Sequence, residues 1–132
     1  MSDSRHRLRF GYWMPVFGGW LRNVKDEGMS IGWPYIRNLA RRSEELGYDL
    51  TLIAELNLND IKGVDAPSLD AWSTAAAVAA VTTQLEVMVA VRPTFHSPAL
   101  LAKQAASLPK IAIRETRTKL TTGTKSGRSK RT

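Results

Sequence analysis

Three short apolar runs end in side chains able to bind or react. They are Arg9–Pro15 (RFGYWMP), Asp49–Glu55 (DLTLIAE) and Leu85–Arg92 (LEVMVAVR), and they present Trp13, Glu55 and Arg92. Trp13, flanked by Tyr12 and Pro15, is an aromatic that either lines a pocket or plugs a core. Glu55 opens the most polar stretch of the body, with Asn57, Asn59 and Asp60 behind it. It is a hydrogen-bonding group or the partner of Arg92 in an ion pair, and the asparagines are contacts or turn residues. Arg92 is planar and permanently charged, which suits an anionic group. His96 lies just beyond it in a loop, where an imidazole can serve as acid or base. Ser68 is a hydroxyl donor or simply the cap of a helix. No histidine has ligand spacing near Glu55, so a metal site is not expected.

Such residues need elements that bring them together. The first helix is expected from about Trp33, with Pro34 in its first turn, where the missing N–H costs nothing. Ile36, Leu39, Ala40 and Leu46 share one face of it, and Gly47 closes it in the left-handed conformation. The second helix is read from about Ser68 through LDAWSTAAAVAAV, whose alanines permit close approach to a sheet. Ser97 and Pro98 make a cap and first-turn pair for a third, ALLAKQAASL. Helices alternating with strands that are apolar on both faces predict an α/β fold with a parallel sheet. Parallel strands collect their functional residues at the carboxyl ends, so Trp13, Glu55 and Arg92 belong to one face. Two connections, from Val16 to about Ile31 and from Leu56 to Pro67, are long enough to be functional or disordered. Phe17, Gly18, Gly19 and Trp20 lack the pattern of a phosphate fingerprint and read as a flexible aromatic loop.

Composition narrows the possibilities. The chain has 132 residues, which allows one domain at most, and no cysteine, which removes disulfides and thiolate chemistry. It shows neither a run of eighteen apolar residues nor a secretory signal, so a membrane protein is not expected and a cytoplasmic home is the default. The net charge of +7 is localised: residues 1–109 hold eleven basic and eleven acidic side chains, and residues 110–132 hold eight basic and one acidic. This divides the chain into a basic leader (1–7), a body (8–109) and a basic tail (110–132) read as solvated and disordered. The tail has no aromatic residue to stack bases, so nucleic acid is not the expected partner. His6 sits in the leader without a partner.

The segments FGYWMPVFGGWLRN, LIAELNLNDIKGVDAPSLDAWSTAAA and MVAVRPTFHSPALLAKQAA together resemble the bacterial-luciferase-like flavin monooxygenases. The nearest branch in pattern is that of the alkanesulfonate and dimethyl-sulfone monooxygenases. The resemblance implies a TIM (β/α)8 barrel, of which this chain supplies the first three βα units. It also implies reduced FMN from a separate flavin reductase, O2, and a small organosulfur substrate. On that basis Arg92 and His96 are the catalytic candidates, and Trp13, Glu55, Asn57 and Ser68 are the cofactor-binding candidates. In the alkanesulfonate branch an active-site cysteine falls near the position of Ser68, and a serine cannot do thiol chemistry.

The family pattern after the third helix fades here. Ser107-Leu108-Pro109-Lys110-Ile111-Ala112 keeps a trace of it, and a basic segment stands where an apolar fourth strand is expected. That reads as a truncated or frameshifted fragment, inactive alone because the barrel's usual phosphate site lies after strands seven and eight. A half-barrel that docks on a partner chain is the second reading, and a basic-tail nucleic-acid binder a weaker third. The sequence leaves the oligomeric state open.

Overall fold

The computed structural model describes residues 7–111. Its elements follow in the order β1 (Gly11–Trp13), α1 (Trp33–Glu45), β2 (Leu50–Ala54), α2 (Ala71–Val81) and β3 (Glu86–Ala90). A short 3₁₀ turn (Pro93–Phe95) and α3 (Pro98–Ile111) complete it. The three strands form one parallel sheet in the order β1-β2-β3. This is the arrangement of the first three βα units of a barrel, left open after β3.

Each helix forms for local reasons visible in its ends. In α1, Pro34 falls in the first turn, and Ile36, Ala40 and Ser43 make its buried face. Gly47, at φ +88°, terminates it: the Gly47 N–H donates to Glu44 O and the Tyr48 N–H to Ser43 O, each at 3.0 Å. This is a Schellman closure, which needs a residue free of a Cβ penalty. In α2, Ala71, Thr74, Ala75, Val78 and Ala79 are buried at helical spacing, and the small side chains let the helix lie close to the sheet.

The cap of α2 differs from expectation. Asp70, not Ser68, caps it, its Oδ2 accepting from the Ser73 N–H at 2.8 Å. The reason lies upstream: the Leu69 N–H donates to Val16 O at 3.0 Å, so the chain is tied to the first loop there and turns helical only after Asp70. Helix α3 begins at Pro98 and runs to Ile111, three residues past the end of the apolar pattern.

The core lies on one side of the sheet. Met14, Val16, Phe17, Ile36, Ala40, Ile53, Ala75, Val78 and Leu85 fill the space between strands and helices. The register pairs Tyr12 with Thr51 and Thr51 with Val87, and this layer faces the helices. The alternate layer, Trp13, Leu52 and Met88, faces the other way, and Trp13 and Met88 are 47% and 45% exposed. The sequence suggested strands buried on both faces, but only the helix face is covered. The barrel-interior face stands open because three strands do not close on themselves.

One side chain ties the first crossover to the third strand. The Glu44 carboxylate, near the end of α1, accepts from the N–H groups of Thr83 and Leu85, each at 2.8 Å, and of Gln84. Burial works to raise its pKa, and the Gln84, Leu85 and Thr83 donors together outweigh that and hold it below the ordinary carboxylate value. A depressed folded-state pKa stabilises the fold above the unfolded value and loses that contribution as pH falls through the folded value. Acid titration of thermal stability should therefore show a loss below pH 4.5 that Glu44→Gln reduces. At neutral pH Glu44→Ala should cost about 1 kcal/mol, the lower end for a partly exposed charged acceptor. An unchanged acid limb in Glu44→Gln would contradict this role.

Candidate functional site at the strand carboxyl ends

The carboxyl end of β2 runs directly into Glu55, and that of β3 into Val91 and Arg92. Glu55 is 6% exposed and is held from both sides. Its N–H donates to Ala90 O at 3.2 Å, continuing the sheet by one residue. Its Oε2 accepts from the Arg92 N–H at 2.7 Å, and its Oε1 meets His96 Nε2 at 2.5 Å. The expected ion pair between Glu55 and the Arg92 guanidinium is not formed. The carboxylate is engaged by Arg92's main chain and by His96 instead, and the Arg92 side chain is exposed.

His96 reaches Glu55 because the loop between β3 and α3 is short and wound. The Phe95 N–H donates to Arg92 O and the His96 N–H to Pro93 O, each at 3.1 Å, which folds the imidazole back under the strand end. Its side chain is 13% exposed. The structure therefore brings together three of the sequence candidates, Glu55, Arg92 and His96, at one point. Trp13 ends the neighbouring strand on the open face, its carbonyl accepting from Trp20 Nε1 at 3.0 Å. Asn57 is exposed in the following loop, and Ser68 is partly exposed before the cap of α2. Neither makes a side-chain hydrogen bond among the described residues.

The two long loops pack on each other. Asn59, 1% exposed, donates through Nδ2 to Phe17 O at 3.1 Å and to Pro67 O at 2.8 Å. Its Oδ1 accepts from the N–H groups of Ile61 at 3.2 Å and Lys62 at 2.9 Å. All four hydrogen-bonding capacities of the amide are thus used, and Asn59 is a strut between loops, not a ligand contact. Lys62 donates to Leu21 O at 2.7 Å, to Val24 O and to the Glu27 carboxylate. The hydrogen bond from Lys62, against the opposing effect of burial, holds the Glu27 carboxyl below its ordinary pKa. Gly19, at φ +141°, lies against this pair, and a Cβ there would run into the Glu27 carboxylate. The Gly18-Gly19 turn is a packed support and not a loose loop.

Sequence reasoning missed Lys62 because its partners lie 35 to 41 residues away along the chain. A lysine in a polar loop carries no local mark of that role. Glu44, whose partners lie 39 to 41 residues away, carries no local mark of its role either.

A cavity of about 390 Å³ lies elsewhere. It lies between α2, β3 and α3, with Trp72, Thr82, Val87, Val89 and Leu108 in its walls. None of the candidate side chains reaches it. It opens on the helix side of β3, an edge strand of the sheet among the described residues. No cluster of three or more metal-ligating side chains occurs among the described residues.

A parallel three-stranded sheet with a carboxylate–imidazole pair at its carboxyl ends is the arrangement of a segment of an α/β barrel, at the end where such barrels gather their functional residues. Residues 8–113 match the model of the luciferase-like monooxygenases, and the chain belongs to that family. It is also similar to a solved structure of riboflavin lyase holding a modified FMN and its substrate riboflavin. That likeness has a TM-score of 0.60 and 27% sequence identity, over 80% of this chain and 28% of that one. The chain thus spans less than a third of that protein's length. No helix among the described residues is long and apolar enough to cross a membrane.

Removing the interloop strut tests the support of the mouth. Asn59→Ala should lower stability by about 2 kcal/mol, since it leaves buried carbonyl and N–H groups unpaired. It should also speed limited proteolysis within residues 14–32. Wild-type cleavage rates there would show that the loops are held by other contacts.

Proposed function

We propose that this chain carries part of the active-site rim of an FMN-dependent monooxygenase, an oxidoreductase using reduced flavin, O2 and a small organosulfur substrate. The observation that carries the reading is the meeting of Glu55, His96 and the Arg92 main chain at the carboxyl ends of a sheet whose other layer, Trp13, Leu52 and Met88, stands open. An apolar floor with a hydrogen-bonding rim fits a flat heteroaromatic ring. FMN bound there supplies the redox chemistry with oxygen, and the chain's own residues bind, orient and shield. Trp13 covers a ring face. Asn57 and Ser68 are hydrogen-bonding candidates around it. Glu55 is already engaged by protein groups, and its contribution passes through them.

Arg92 suits the sulfur-bearing end of the substrate. Its guanidinium is exposed and has no carboxylate partner among the described residues, so it is available to a sulfonate or sulfone oxygen. His96 is the acid–base candidate. The phosphate of FMN needs loops that follow later strands of a barrel, and the sheet here has three strands. The chain alone is accordingly a partial site.

A second reading is favoured by one feature. The β3 edge is unpaired among the described residues, and Trp13 and Met88 are exposed on the inner face. Such a surface suits a partner chain that completes the barrel, and an uncovered edge invites association. The basic segment invoked for nucleic-acid binding lies almost wholly outside the described residues.

Titration of the 132-residue chain with FMN, read by flavin fluorescence, should show no saturation below about 1 mM, since the described residues form three strands and not the later loops that hold a phosphate in such barrels. Incubation with reduced FMN, O2 and an alkanesulfonate should release no sulfite. Low-micromolar binding or sulfite release would show a complete site in this chain and overturn the partial-rim reading.

A further inference from the structure

We infer that Glu55 is a positioning residue for His96, fixing the imidazole as the Nε2–H tautomer and leaving Nδ1 as the proton-accepting nitrogen at the mouth. Its use in turnover rests on the flavin-dependent reading above; the tautomer itself does not.

The constraint begins with the carboxylate. At 6% exposure Glu55 has little access to water, so its oxygens must be satisfied by protein donors. Oε2 is fixed by the Arg92 N–H at 2.7 Å, a main-chain donor at the end of β3. The Glu55 N–H is fixed in turn by Ala90 O at 3.2 Å. Backbone and side chain are thus both stitched to the same strand, which leaves the carboxylate little freedom. Oε1 then points at His96 Nε2 at 2.5 Å. A carboxylate only accepts, so the ring donates through Nε2–H. The ring's remaining nitrogen, Nδ1, has no hydrogen-bond partner among the described residues.

Which nitrogen carries the proton decides what an imidazole can do. With Nε2–H committed to Glu55, the Nδ1 lone pair accepts one proton from a bound carbon or oxygen acid. The acid leaves as its conjugate base and the ring becomes imidazolium. The Glu55 carboxylate stabilises that charge, the role a carboxylate plays behind a catalytic histidine. No electrons change hands in this step. A carboxylate that served only to join β2 to β3 would need the Arg92 N–H alone. The 3₁₀ turn at Pro93–Phe95 instead brings an imidazole to its second oxygen.

The test is ring ¹⁵N spectroscopy of the full chain carrying His6→Gln, which leaves His96 as the single histidine. In the neutral ring the Nε2–H tautomer should exceed the other by on the order of tenfold, as a hydrogen bond to a charged group gives. A solvent-protected Nε2–H proton should also be visible, with a through-space contact to Glu55. Glu55→Gln is close in size and removes the fixed acceptor. It should lower the tautomer ratio several-fold and abolish the proton's protection while the amide spectrum keeps its dispersion. A predominant Nδ1–H tautomer, or a ratio and protection unchanged in folded Glu55→Gln, would overturn the inference. If that variant fails to fold, the wild-type tautomer and its protected proton still decide. The measurement uses no flavin, so failure to bind FMN leaves this result standing, and a wrong tautomer leaves the flavin reading standing.

Discussion

Strand β2 is hydrogen-bonded on both edges, and everything else is arranged around it. Thr51 and Ile53 are fully buried beneath the helices. The Met14 N–H reaches back to Leu52 O at 2.8 Å, carrying the first strand's pairing into its loop. Ala54 pairs with Ala90, so the residue after it emerges level with the end of β3. The position of Glu55 is therefore set by register. A slip of one residue would turn Glu55 to the opposite face and separate it from the Arg92 N–H.

A second constraint follows from helices covering only one face. Parallel strands require crossovers, and right-handed crossovers put successive helices on the same side of the sheet. Three units give a core on that side and nothing on the other. The exposed Trp13 and Met88 and the cleft beside Trp72 flank the two sides of this three-stranded sheet. They differ in meaning. The polar residues gather at the carboxyl ends of the strands, whereas the cleft lies on the outer side among mainly apolar side chains.

Much of this was legible in the sequence, because the signals were local. Three apolar runs, Pro34 in a first turn and Gly47 at a helix end each have a physical reason that depends only on neighbours. The choice between Ser68 and Asp70 as cap was not legible, since both residues can cap. The contact that decided it, Leu69 to Val16 O, spans the chain from loop to loop. The site was legible as a set of strand-end residues but not as a geometry. Glu55 and Arg92 carry opposite charges, and the sequence invites an ion pair between them. The structure pairs Glu55 with a main-chain N–H and with His96, because the short turn after β3 brings the imidazole closer than the guanidinium. Lys62 and Asn59 hold the loops through contacts that no spacing rule marks.

The proposed functional surface is the carboxyl end of this sheet. Amide shift mapping of the ¹⁵N-labelled chain with FMN at about millimolar concentration, where even weak contacts register, addresses it most directly. The account predicts perturbations centred on Trp13, Glu55, Arg92 and His96. Perturbations centred on Trp72, Val87 and Leu108 in the helix-side cleft, or a spectrum that FMN leaves unchanged, would contradict it.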